Sequence, residues 1–167
     1  LSRTSSMAFT LSLVSFVRGP FMDTNIIAAN TITATADTGN DVGLTAVTAG
    51  TFDALHVGSL WRIKSGVVKI TTFVTSSHVH GDVQAEPDGS AGNLATGPGA
   101  TADWAEGAFS GFRGYPTAIA FHEQRLYYAG TEAEPQKFWG SYIGAYDSFD
   151  TTATTTNYSI TFEVATE

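Results

Sequence analysis

Histidine and carboxylate side chains are the groups in this chain able to do chemistry, so their spacing is weighed first. His78 and His80 stand two apart. On a strand that spacing sets both imidazoles on one face, a geometry able to hold a metal ion. A third ligand would have to come from His56, Asp82 or elsewhere, and exposed strand histidines are the plain alternative. No metal site and no cofactor are expected. His122-Glu123 would suit a zincin only with a second histidine four residues on, upon a helix. That position is Leu126, and the setting is a strand turn.

Asp37-Thr38-Gly39 matches the short signature of aspartic proteases, whose Asp shares a proton with a partner Asp across a dimer. The preceding residues 33–36 are thinly apolar, and Asp-x-Gly-Asn between two strands is a good hairpin turn in its own right. With Asp41 the same segment faintly suggests a calcium loop, but Gly39 sits where an oxygen ligand belongs. Asp147 with Asp150, or Asp103 with Glu106, has the outline of a glycosidase pair. Carboxylates three apart are commonplace on turns. No phosphate-cradling loop, serine elbow or Cys–His pair occurs, so no enzymatic activity is expected. The rings of Trp104, Tyr115, Trp139, Tyr142, Tyr146 and Phe149 suit either sugar stacking, a protein partner or plain core packing. Trp104, at the exit of a Gly-rich stretch, is the candidate surface anchor.

The elements that must position these groups are strands. Alternation with period two recurs almost throughout, and no amphipathic helix emerges. Strands are expected at 8–17, 30–36, 42–47, 57–63, 67–74, 78–85, 117–121, 125–129, 137–141 and 158–164. Turn chemistry separates them, as at Gly19-Pro20, Asp37 to Asn40, Lys64-Ser-Gly66 and His122-Glu-Gln124. The expected fold is all-β: a small β-barrel followed by a partial blade-like antiparallel sheet. Residues 1–23 supply a leading strand of the larger sheet, 24–85 the barrel, 86–102 a flexible Gly/Pro-rich loop, and 103–167 the aromatic-rich sheet. The last strand has none after it to pair with, so the chain is expected to be a fragment of a larger β-rich chain.

Composition narrows the function. Only 14% of the 167 residues are charged and 12% are aromatic, which does not fit disorder. The formal net charge of −8, with eight scattered basic residues, argues against a nucleic-acid clamp. It suits a conduit past which DNA slides without sticking. There is no cysteine, hence no disulfide or thiol chemistry. No apolar run approaches the roughly 18 residues of a membrane span. Phe9, Leu11 and Leu13 alternate with Thr10 and Ser12, which fits a strand better than a signal peptide.

One ordered succession stands out: Trp104, Arg113-Gly114-Tyr115-Pro116, Gln124-Arg125-Leu126, Gly130-Thr131, Pro135-Gln136, Trp139-Gly-Ser141 and Tyr146 to Phe149. Upstream stand Gly19-Pro20-Phe21-Met22-Asp23-x-Asn25 and His56-Val-Gly58-x-Leu60-Trp61-Arg62-Ile63. This succession resembles the tail nozzle proteins, or tail tubular protein B, of short-tailed bacteriophages. The likeness covers most of residues 16–149, and members of that family run considerably longer. It implies a non-enzymatic virion subunit, assembled in the host cytoplasm into a homo-hexameric ring at the distal end of the tail. Such a ring docks beneath an adaptor ring, contributes to tail-fibre attachment and encloses the DNA exit channel without sequence-specific binding. The motif residues then have structural work. Pro116 fixes a turn, Gly114 allows positive φ, Arg113 and Arg125 fork onto carbonyls or carboxylates, and Gln136, Trp139 and Ser141 continue a sheet. Gly130, Pro135, Tyr115, Trp104 and Phe149 complete the structural and interaction set. The alternative is a carbohydrate-binding module of a phage receptor-binding or bacterial surface protein, with an adhesin third.

Overall fold

Short β-branched runs punctuated by Gly and Asp turns give strands and almost nothing else. The computed structural model describes residues 16, 18–86, 90–96, 99–149 and 158–164. In chain order the strands are β1 (Ile32–Ala34), β2 (Val42–Ala46), β3 (Leu60–Ile63), β4 (Gly66–Thr75), β5 (His78–Val83), β6 (Trp104–Ala105), β7 (Ala118–His122), β8 (Arg125–Ala129), β9 (Lys137–Gly140) and β10 (Ile160–Glu163). The fold is all-β, and a single 3-10 turn, Ala54–His56, is the only helical element among the described residues.

The first six strands form one antiparallel sheet in the order β1-β2-β5-β4-β3-β6, curled into a half-barrel. Two register shifts in β4, between Ile70 and Thr72 and between Phe73 and Thr75, bend it, as bulges do. Ile32 and Thr101 exchange backbone hydrogen bonds, each 2.8 Å, and so draw the segment before β6 back to β1. The concave face is filled by Ile32, Leu44, Phe52, Trp61, Ile63, Val68, Ile70 and Val79. Gly81 sits where strands close up, since a Cβ there would come within 2.6 Å of Val68 Cγ2 and 2.7 Å of the Lys69 carbonyl.

The second sheet runs β10-β9-β8-β7, again antiparallel. Its β7–β8 hairpin turns on Glu123 (φ 46°) and Gln124 (φ 60°), the paired positive φ that a two-residue hairpin loop demands. Trp139, Ala108 and Phe149 form its buried core, with Phe16, Met22, Phe109 and Tyr128 packed around them. Residues 18–25 run between the sheets: Met22 N–H donates to the Glu106 carbonyl (2.8 Å), and Phe149 N–H to the Arg18 carbonyl (2.6 Å).

Three expectations need correction. The strand expected from residue 57 begins at Leu60, because Asp53 caps the 3-10 turn and Gly58 (φ 93°) reverses the chain. Trp104 belongs to the first sheet: it stacks on Trp61 at 5.5 Å and its Nε1 donates to the Asn30 carbonyl (2.9 Å). The composition break near residue 103 is therefore not the boundary between sheets, and Trp104 is a core-flanking ring rather than a surface anchor. In the Gly/Pro-rich stretch, residues 90–96 are tied down. Leu94 is fully buried in the barrel core, and its N–H donates to the Asp37 carbonyl (2.9 Å). The strand expected at 8–17 lies outside the described residues except for Phe16.

Leu94 gives a direct test of this anchoring. Leu94→Ala should lower stability by about 2–4 kcal/mol in urea denaturation, the usual cost of emptying a core site. A free linker would leave the midpoint unchanged.

Candidate functional site

A carboxylate, an imidazole and a guanidinium converge at the seam where the half-barrel meets the second sheet. Glu106 follows β6 directly and is 7% exposed. A lone carboxylate there would be costly, and two cation-capable groups come to meet it. His56 ends the 3-10 turn and is buried, its Nδ1 accepting the Asp53 N–H at 2.9 Å. The ring proton therefore sits on Nε2, 2.9 Å from Glu106 Oε1, in an approach too bent for a full hydrogen bond. Arg113 comes from the turn that Ser110 and Gly114 close. Its Nε donates to Glu106 Oε1 (2.8 Å) and its Nη2 to Oε2 (2.6 Å), the forked geometry that guanidinium and carboxylate favour. Phe112 lies beneath the guanidinium at 5.1 Å and against the His56 ring at 4.7 Å.

Burial alone would push the Glu106 carboxyl up. The contacts from His56 and Arg113 outweigh it and hold the group below the ordinary carboxylate value. Arg113 is moved the other way, upward, chiefly by the same hydrogen bonds to Glu106. Both carboxylate oxygens are engaged, so the arrangement is built to hold a charge in place.

Two further polar knots repeat the pattern. Arg62 donates to the Lys64 carbonyl (2.8 Å), Asp103 (2.9 Å) and Thr24 Oγ1 (2.8 Å). Arg125 Nη1 donates to the carbonyls of Ser141 (2.5 Å) and Tyr158 (2.8 Å), while Ser141 Oγ accepts the Leu126 N–H (2.9 Å). Lys137 reaches Asp23 at 3.0 Å, and Arg18 pairs with Glu86.

The expected site residues fall into separate groups. Gly114 (φ 82°), Tyr115, Gly130 (φ 62°) and Pro135 line one shallow recess with Thr117, Thr131 and Glu132. A Cβ on Gly114 would meet Glu132 Cβ at 3.0 Å and Glu132 N at 3.1 Å, so the recess is also a close backbone approach. Tyr115 is the exposed ring of that set, at 65%. Pro116 leads from the recess into β7. Trp139 and Phe149 are buried in the second core, and Arg125 with Ser141 forms its polar knot. The Gln136 carbonyl accepts the Val164 N–H (3.1 Å) beside β9. Trp104 stands apart, in the first sheet.

Among the other candidates, Asp37 Oδ1 accepts the Thr96 N–H (2.9 Å) and hydroxyl, and Gly39 (φ 100°) makes the turn that Asp-x-Gly-Asn foretells. Asp103 and Glu106 are held by different arginines, Arg62 and Arg113. Asp150 lies outside the described residues. His122 and Glu123 are exposed at a hairpin tip, 3.8 Å apart. His78 and His80 do share one face of β5, with their Nε2 atoms 3.2 Å apart. Sequence reasoning missed His56 with Glu106, which are 50 positions apart in the numbering. The signal available was a single Glu in the run Trp104-Ala-Glu-Gly-Ala-Phe109 of a charge-poor chain.

Among the described residues no helix is long and apolar enough to cross a membrane. No protein-family model matches the chain, and comparison with curated proteins finds no match.

The Glu106 seam carries a pH dependence of known sign. Its folded value is depressed, so its contribution is intact above the ordinary carboxylate value of 4.5 and is lost as pH falls through the lower, folded value. Glu106→Gln should cost about 2–3 kcal/mol at pH 7, at or just under the low end of the roughly 3–5 kcal/mol for breaking a fully buried pair, because Arg113 is partly exposed. The gap in melting temperature between the variant and the parent should narrow below pH 4.5. A constant gap from pH 7 to pH 3 would contradict the assignment.

Proposed function

We propose that this chain is a structural subunit of a bacteriophage tail nozzle, assembling into a ring around a DNA exit channel. The reading rests on the ordered motif from Trp104 to Phe149. It is supported by how those residues are used: in turns, cores and backbone-directed hydrogen bonds. The observation that carries it is the edge of the second sheet. Among the described residues nothing pairs with the outer side of β7, yet Ile119 is 63% and Phe121 68% exposed there. A long-lived isolated domain blunts such an edge with charge or proline; a subunit offers it to a neighbour. Four of the eight basic residues, Arg18, Arg62, Arg113 and Lys137, are held in ion pairs with acids. The net negative charge is then left for the surface, which suits a wall that DNA must pass.

The carbohydrate-binding alternative has one observation in its favour, the exposed Tyr115 beside the recess of Gly114, Gly130 and Pro135. The two readings separate on assembly. Light scattering and negative-stain images of the purified protein should show a closed ring, six subunits being expected. The double change Ile119→Lys with Phe121→Glu should abolish the ring while altering subunit stability by no more than about 0.5 kcal/mol, since both side chains are exposed. A monomer at all concentrations that binds glycans through Tyr115 would replace the nozzle reading with the other.

A further inference from the structure

The outer face of β5 carries a pair of histidines that the ring reading does not use. Val79 between them is fully buried, so His78 and His80 both point away from the core. They stand opposite Thr45 and Gly43 of β2. Gly43 makes the room: a Cβ there would sit 3.3 Å from His78 Cε1. Each ring is anchored through Nδ1, leaving Nε2 to face the other. His78 Nδ1 meets Thr45 Oγ1 at 2.9 Å, and His80 Nδ1 meets Asp41 Oδ1 at 2.8 Å. Asp41 is aimed by its own backbone, at φ 56°, with its N–H donating to Asp82 Oδ1 (2.9 Å). A carboxylate behind the remote nitrogen of an imidazole is the arrangement found behind metal-ligating histidines.

The distances carry the argument further. The Nε2 atoms are 3.2 Å apart and the ring centroids 5.0 Å apart. Rings that radiate from one point diverge in this way. With each centroid about 1.15 Å behind its nitrogen, axes that met at one point would meet about 2.0 Å in front of each Nε2, which is the Zn–N bond length. The angle subtended there by nitrogens 3.2 Å apart is about 103°, close to tetrahedral. Tautomers permit it as well. Asp41 accepts, so His80 carries its proton on Nδ1 and shows a lone pair at Nε2. The Thr45 hydroxyl either donates or accepts. When it donates, His78 Nε2–H bonds to His80; when it accepts, both Nε2 lone pairs face the same point. Exposing both lone pairs takes two coupled changes: His78 gives up its Nε2 proton to water and takes one up on Nδ1, and the Thr45 hydroxyl turns to accept it.

We propose that His78 and His80 form a two-imidazole site for a first-row divalent transition ion of the zinc or nickel type. Asp41 acts as the positioning residue. Among the described residues no third His, Cys, Asp or Glu joins them, so water completes the shell and the ion exchanges readily. Imidazole pairs do not suit calcium or magnesium, which take oxygen ligands.

Calorimetric titration of tag-free, chelator-stripped protein with ZnCl2 or NiCl2 tests this, with CaCl2 as the control. One ion per chain should bind, and zinc should raise the melting temperature. His78→Ala and His80→Ala should each weaken binding by at least about tenfold and remove that thermal shift, while Asp41→Asn should weaken binding about tenfold. His122→Ala, at the distant hairpin tip, should bind as the parent does. Absence of saturable zinc binding, undiminished binding in either His78→Ala or His80→Ala, or one ion shared by two chains would overturn the site. Unaltered affinity in Asp41→Asn would overturn its positioning role.

Discussion

A buried carboxylate has to be matched by hydrogen-bond donors or the fold around it cannot form, and Glu106 imposes that demand where three pieces of chain meet. Its side chain receives Arg113 from the Ser110–Gly114 turn and His56 from the half-barrel, while its carbonyl receives the N–H of Met22. None of these partners is near it in sequence except Arg113. The seam therefore fixes how the segment 18–25, the 3-10 turn and the start of the second unit sit together. Phe112 shields it, packed between the guanidinium and the imidazole.

Apolar contacts take over on either side of that seam, and they do so with different chemistry. The half-barrel is filled by Ile, Val and Leu around the Trp61–Trp104 stack, as a tightly curved sheet with small and branched side chains allows. The second unit has little aliphatic core. It relies on edge-to-face contacts among Phe16, Phe109, Tyr128, Trp139 and Phe149, with centroids 5.3–6.0 Å apart in the edge-on pairs. Rings of that size fill space with few residues, which suits strands of four or five. Their packing leaves Arg125 as the polar tie between β8, Ser141 and the approach to β10.

Much of this was legible in the residues. Period-two alternation located every described strand except the two-residue β6, and the hairpins at residues 37–41 and 122–125 follow from turn chemistry that acts over four residues. The turn at Gly114 was readable because positive φ has a residue signature. Other features depend on contacts between distant segments. Leu94 sits in a stretch whose Gly and Pro content hides the one side chain that matters, and its burial depends on Asp37, remote in sequence. Trp104 read as the start of the aromatic-rich unit because composition changes there, yet pairing with β3 places it in the first sheet. The His56–Glu106 contact had no local pattern to betray it. A charge pair is written by spacing on a single element; across elements it is set by topology.

Several charged groups of this fold are turned inward, while two large apolar side chains of an edge strand are turned outward. Guanidinium groups, which water solvates well, are turned inward to carbonyls and acids at Arg18, Arg62 and Arg125. Ile119 and Phe121 are turned outward on an edge strand, with Tyr146 set edge-on to Phe121 at 5.3 Å. Burying a side chain of that size contributes about 1.5–3 kcal/mol, so one stripe of two such residues outweighs several exposed ion pairs. In the ring proposed above, that gain would recur at every junction, while the inward-facing arginines would hold each subunit's own geometry fixed. For the proposed ring, rigid seams inside and adhesive edges outside would serve closure, which fails when either the edge or the angle between sheets can drift.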